Sequence, residues 1–370
     1  MLVYCSLFAF TVLASLICTQ TPACKTIETS YGTKENRIPF ITLFLVTVPS
    51  IFFLGMNDNF ADTPGYLSAF RNLTTEFSLE NIRIDAYGFA ILQRFCKAYL
   101  FENANIWLTV MIIISIIPIV INISKHSPNP AVSFFLFFAS TEFTFLINGI
   151  RQFIAVCIAF YGLKYLINKQ PIRYLLIVIL AMSFHQTALI MLIAYPISII
   201  KPFKRNIIFI SILALAMAVF SENVLQVADD MFIADSAYGH YMDKLFESAG
   251  VNVLRTLTHW VPVILTFIYR EKIWQINDRT MNICVNFSLI NALIFTFAST
   301  IGANLTGRMA EYFTIYNLLL YPMIFKRCVA PKTKQWLIPL FVIIYIAFFI
   351  YQMVFAWGTT YRSEILGIFC

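Results

Sequence analysis

Long apolar runs separated by short polar breaks follow one another along the whole chain, with charged residues placed as punctuation between them. Runs of this length are the pattern of helices that cross a bilayer, where every backbone group must find its partner inside the segment. Reading runs against breaks predicts twelve membrane segments, at about 2–19, 38–55, 106–123, 131–147, 151–167, 173–186, 187–200, 207–220, 256–269, 281–299, 309–325 and 336–357. The expected fold class is therefore all-α, a polytopic integral membrane protein forming one domain over residues 1–370. No Lys or Arg precedes the first run, so it is expected to stay as a helix rather than leave as a signal peptide.

Composition agrees: 59% of residues are hydrophobic, 12% are charged, and mean hydropathy is +0.77. A soluble domain carries about twice that share of charge. The net charge of +7 would suggest nucleic acid as a partner in a soluble protein. Here it is absorbed by insertion. If the loops after segments 1, 3, 5, 7, 9 and 11 are cytoplasmic, they hold 17 of the 26 Lys and Arg but four of the 19 acids. The inner side then carries +13 and the outer side −6, as the positive-inside rule requires. The eight Cys are scattered without a C-x-x-C pair, which gives no metal or disulfide framework.

This orientation makes residues 173–200 a hairpin that rises from the cytoplasmic side and returns. Each arm has about 14 residues, or about 21 Å of helix, against a hydrocarbon core about 30 Å thick. The apex at His185-Gln186-Thr187 is thus expected to be recessed and to face a cavity. Two outer loops, 56–105 and 221–255, are long enough to carry structure. In the first, Phe89, Leu92, Phe95 and Tyr99 recur at helical spacing with Gln93, Arg94 and Lys97 opposite, predicting an amphipathic helix in the interface. The cytoplasmic loops read as anchors.

The strongest local signal is Asn148-Gly149-Ile150-Arg151-Gln152, between segments 4 and 5 on the outer side. A guanidinium among the free N–H groups of a helix start suits phosphate; an anchoring Arg in a tight turn explains it equally. Arg308 is a second outer base at a helix start, and either binds an anion or pairs with Glu311 at i, i+3. Arg255 is a further outer cation that could take the same part. The first outer loop offers Asp58 and Asp62, then Tyr66 and Arg71, and carboxylates close to an arginine could serve as general base and phosphate clamp, although solvated loop acids are commoner. The chain has no P-loop, G-x-G-x-x-G, H-E-x-x-H or G-x-S-x-G, and no cofactor or metal is expected.

In order, Asp62-Thr63-Pro64-Gly65-Tyr66, Gly88-Phe89, Asn148-Gly149-Ile150-Arg151-Gln152, His185-Gln186-Thr187-Ala188 and the late Arg308 with Tyr312-Phe313 resemble the EpsG family of polysaccharide polymerases, a branch of the Wzy-type enzymes. The resemblance covers about residues 40–325. It implies a glycosyltransferase C-like architecture in the bacterial inner membrane. It also implies polymerisation, at the periplasmic face, of repeat units carried on undecaprenyl pyrophosphate. Donor and acceptor glycan, membrane lipid and a chain-length regulator are the implied partners. On that reading Arg151, Arg308, Gln152, Asn148, Tyr66 and Arg255 bind substrate, while His185 or Asp62 serves as base. An O-antigen ligase and a lipid-linked oligosaccharide flippase are the rival readings.

Overall fold

The computed structural model describes residues 1–29, 31–79, 86–205, 207, 252–301, 303–358 and 360–369. Segment 207–220 beyond its first residue, and nearly all of the 221–255 loop, lie outside the described residues. The chain divides into two compact units, residues 1–165, 170–189 and 321–370 in the first, and 166–169 with 190–320 in the second. Among the described residues, four helical stretches are long and apolar enough to cross a membrane: Ala104–His126, Ile150–Ile167, Arg279–Ser299 and Pro331–Ala356. Six apolar helices are shorter.

The first unit begins with α1 (Leu2–Cys18), a hairpin of β1 (Lys25–Glu28) and β2 (Lys34–Arg37), and α2 (Phe40–Gly55). This hairpin corrects the view of the 19–39 loop as a mere anchor. Its Glu35 is fully buried and holds Arg327 through Nε at 2.6 Å and Nη2 at 3.1 Å, with Arg37 on Oε2 at 2.8 Å. Removed from water, the carboxylate is tolerated because two guanidinium groups satisfy it.

Next come α3 (Thr63–Arg71), α4 (Tyr87–Tyr99) and α5 (Ala104–His126). Helix α5 is well specified: the Asn103 side chain caps its start by accepting from Asn105 and Ile106 N–H, and Lys125 and His126 complement its last carbonyls. It runs antiparallel to α2, which Asn105 joins at one end (Nδ2 to Gly55 O, 3.3 Å) and Ser124 at the other (Oγ to Ile38 O, 2.7 Å). A Cβ on Gly55 would overlap the Thr109 side chain, so glycine sets how closely this pair approaches. At about 1.5 Å per residue the 23 residues of α5 span about 34 Å.

The expected segment 131–147 is not one helix. Helix α6 (Pro130–Ala139) stops, Thr141 turns left-handed at φ 66°, and a short 3-10 helix, Glu142–Leu146, follows. The polar run Ser140-Thr141-Glu142 supplies the side chains that compete with helix there; Ser140 and Thr144 hydroxyls donate back to Leu136 and Thr141 carbonyls. Helices α7 (Ile150–Tyr161) and α8 (Leu163–Ile167) carry the next span, and α9 (Pro171–Phe184) ends where expected, at His185 in extended conformation. Leu175, Leu176, Ile179 and Leu180 stay exposed on α9, as Leu13 and Ile17 do on α1, which fits faces turned to lipid.

After the 3-10 helix Gln186–Ile193 and α10 (Ala194–Ser198), the second unit holds α11 (Val253–Ile268), α12 (Arg270–Ile276), α13 (Arg279–Ile301) and α14 (Ala303–Thr314). Inside it, Asn291 on α13 donates to Ala310 O and Thr314 Oγ1, at 2.9 and 2.6 Å. The expected segment 309–325 is also two helices, α14 and α15 (Asn317–Arg327), separated at Ile315–Tyr316. Helix α16 (Pro331–Ile350) then runs into a π-helical turn, Tyr351–Ala356. The short strands β3 (Arg362–Ser363) and β4 (Ile368–Phe369) follow, returning to the loop after α2.

Candidate functional site

The first unit contains a cavity of about 540 Å³ walled by α3, α4 and the start of α7. That is within the range of about 300–1,000 Å³ typical of ligand pockets. Its polar lining is Asp62, Tyr66, Gln93 and Arg151. Three separate sequence motifs, around residues 62–66, 88–89 and 148–152, therefore meet here.

Each wall has a local cause. Asp62 is the residue before α3; Ala61 just ahead of it is left-handed at φ 43°, and Pro64 pre-sets the first turn. The Asp62 carboxylate is not spent on capping the helix. Thr63, fully buried, sends its hydroxyl to the Ile147 carbonyl at 2.7 Å, binding this turn to the Asn148–Gln152 motif. Gly149, at φ 76°, turns the chain into α7 and leaves Arg151 in the first helical turn, where free N–H groups and the dipole favour an anion. Aromatic rings hold the far wall: Tyr66 meets Phe89 edge-on at 6.3 Å, and Phe70 stacks on Trp107 of α5 at 4.7 Å. Gly88 sits so tightly on α9 that a Cβ there would collide with the Ser183 side chain.

The expected helix over 89–99 exists as α4, with rings free to face a membrane interface. Phe89 and Cys96 are buried, whereas Phe95 and Tyr99 are exposed. Gln93 lines the cavity and Lys97 lies over the Phe70 ring at 5.2 Å. The lining also revealed a signal that the motif reading missed. Ala61, Gly65 and Ala69 on one side, with Ala86 and Ala90 on the other, recur every four residues. Small side chains at that spacing leave the room that the cavity occupies.

Asp58 belongs elsewhere. Its carboxylate accepts from Asn105 Nδ2 at 2.8 Å and from Glu364 N–H at 2.6 Å, a structural pin rather than an acid facing the cavity. Beside it, Tyr361 is buried and donates to Phe53 O at 2.7 Å; burial pushes its hydroxyl up to about 12, so it stays protonated.

Of the remaining expected residues, Gln152 is buried in α7 and Asn148 is half-buried, its N–H donating to Thr144 O. Neither is in the cavity lining, and nor is His185. His185 is half-buried and its Nδ1 lies 2.7 Å from Thr187 Oγ1, so acid–base work at this ring would fall to Nε2. Arg308 does not open a helix: α14 starts at Ala303, which leaves Arg308 inside it on an exposed position. Glu311 pairs with Arg255 at 2.8 Å, and that guanidinium also lies 5.4 Å from the Phe295 ring. No group of three or more His, Cys, Asp or Glu side chains converges among the described residues.

The family model described as EpsG family matches residues 40–363. Neither a curated protein nor a solved structure matches.

Proposed function

The chain belongs to the EpsG family, a family of Wzy-type polysaccharide polymerases, and from that premise we propose that it joins oligosaccharide repeat units carried on undecaprenyl pyrophosphate. The reaction would take place at the periplasmic face of a bacterial inner membrane. The observation that carries the reading is the meeting of Arg151 with Asp62 and Tyr66 in one cavity. The charge asymmetry of the loops supports the orientation, because it puts that cavity on the outer side. Twelve membrane segments and a glycosyltransferase C-like architecture belong to the same proposal, supported by the hydropathy pattern and the resemblance.

In this reading the donor pyrophosphate sits against the Arg151 guanidinium and the α7 N–H groups. The bond from the donor sugar's anomeric carbon to the pyrophosphate oxygen breaks, and that oxygen keeps the electron pair. Its growing negative charge is what a preorganised cation stabilises most. The acceptor hydroxyl oxygen forms the new glycosidic bond and gives its proton to Asp62, which later releases it to water. Tyr66 and Phe89 offer ring faces and edges against which a sugar can lie. His185 is the alternative base. Asn148 and Gln152 would act beside this lining rather than in it, and Arg308 and Arg255 remain candidates for binding substrate from the second unit.

The deciding experiment supplies purified protein with a lipid-linked repeat unit. A ladder of longer lipid-linked glycans supports the polymerase. Transfer to lipid A core instead would make it a ligase, and unchanged glycan length would favour the flippase.

A further inference from the structure

A second cavity, of about 250 Å³, lies in the first unit. Helix α5 separates it from the Arg151 cavity. Asn36 of β2 and Asn129, just past the α5 end, line the second cavity, while Asp62 and Arg151 lie with the Gly55–Asn105 end of the same helix pair. The two are thus about one membrane thickness apart. By the charge pattern, the second faces the cytoplasm.

From its lining we infer that this cavity binds a phosphate group, the chemistry shared by anionic lipid headgroups and free phosphate, independently of the polymerase reading. Lys326 and Lys334 both line it, and no carboxylate does. The nearby acid Glu35 is already neutralised by Arg327 and Arg37. Two helix N-termini open on the space. Asn129 caps α6, its oxygen accepting from Val132 N–H, which leaves the amide NH2 as the end that can donate. Lys334 stands in the first turn of α16. Anions are favoured at such ends.

The rest of the lining favours a lipid as the source of that phosphate. Leu16 of α1 and Ile338 of α16 line the same cavity. On the same two helices Ile17, Trp336 and Leu340 are exposed apolar side chains outside the lining, 65%, 59% and 46% accessible. A headgroup could therefore reach the lysines while its acyl chains stay on apolar surface. Trp336 stands between Lys334 and Ile338 along α16, and an exposed tryptophan at that depth is the usual marker of the headgroup level; basic pockets between helices on the cytoplasmic side are the expected binding places for anionic lipids.

Native mass spectrometry tests this on the full chain in micelles holding equal dioleoyl-phosphatidylglycerol and dioleoyl-phosphatidylcholine. The wild type should retain the phosphatidylglycerol adduct roughly tenfold over phosphatidylcholine. The double variant Lys326→Gln/Lys334→Gln should fall to parity, while Lys326→Arg/Lys334→Arg should keep the preference and so exclude a folding defect. Millimolar inorganic phosphate forms the second arm. A lipid adduct that survives it assigns the site to lipid, and a lipid adduct replaced by phosphate assigns the same chemistry to the soluble anion. Parity in the wild type, or a preference that survives the Gln variant, overturns the proposal.

Discussion

The Thr63 hydroxyl donates to the Ile147 carbonyl at 2.7 Å, across 84 residues of sequence and out of reach of water. This bond fixes the Asp62 turn against the turn that launches Arg151. Acid and cation thus share a cavity because a side chain that touches no substrate holds their two backbones together.

Thr63→Val keeps the shape and deletes the donor, leaving a buried carbonyl unsatisfied at a cost of about 1–3 kcal/mol. The variant should insert normally yet polymerise more slowly, and Thr63→Ser should restore the rate. Thermal unfolding and in-vitro chain growth measure the two effects. Full activity from Thr63→Val would mean that the bond does not position the site.

Arg151→Ala should lose nearly all polymer while the protein remains inserted, since removing one preorganised donor to a developing oxyanion costs about 10²–10³ in rate. Lysine keeps the charge but not the two-pronged geometry, so Arg151→Lys should retain partial activity. Gel analysis of glycan ladders at matched expression is the measurement. Long chains from Arg151→Ala would reduce the residue to an anchor.

Asp62→Asn should lower kcat by about 10²–10⁴ if Asp62 is the general base. Asp62→Glu keeps a carboxylate on that turn and should retain part of the rate. His185→Gln should leave kcat near the wild-type value. The reverse pattern would hand the role to His185.

Gly88→Ala places a methyl group against Ser183, whose Cβ and carbonyl oxygen would both be 3.1 Å away. Overpacking of this kind costs about 1–3 kcal/mol. It should push α4 outward and widen the cavity wall, reducing activity more than expression. Ser183→Ala in the same chain should give back part of the loss. Absence of any effect from Gly88→Ala would show that α4 is free to shift.

Reporter fusions after Asn59 and after Gln275 should score outside and inside respectively. An opposite result at either point would overturn the orientation on which the periplasmic cavity rests.

Hydropathy located most helices because a bilayer leaves so few ways to satisfy a backbone; α2, α5, α9 and α13 begin and end within a few residues of the apolar runs. It could not see the break at Thr141. The polar run Ser140-Thr141-Glu142 is only three residues long between phenylalanine-rich stretches, too short to interrupt the apolar average, and the turn is set by local hydroxyl–carbonyl bonds. The helix α4 was legible from its spacing, but its close approach to α9 at Gly88 was not, because a glycine leaves no apolar signal. Arg308 and Glu311 are neighbours by count, but Glu311 meets Arg255, 56 residues away, and no spacing rule reaches that far. The cavity was legible in outline, since Asp62, Tyr66 and Arg151 all came from motifs. The bond that assembles them was not, because Thr63 has no signature beyond being a threonine.

The pin at Asp58 has a consequence for the order in which the molecule is made. Its carboxylate receives the N–H of Glu364, 306 residues further along, and the Asp58 N–H donates to Arg362 O in return. Translation runs from the amino end, so α1 to α5 have long left the ribosome before either partner exists. The loop that leads into Asp62 must therefore wait, inserted but unfinished, until the final strands arrive to lock it. A chain interrupted late in synthesis would carry most of its membrane helices and still lack a completed entrance to its site.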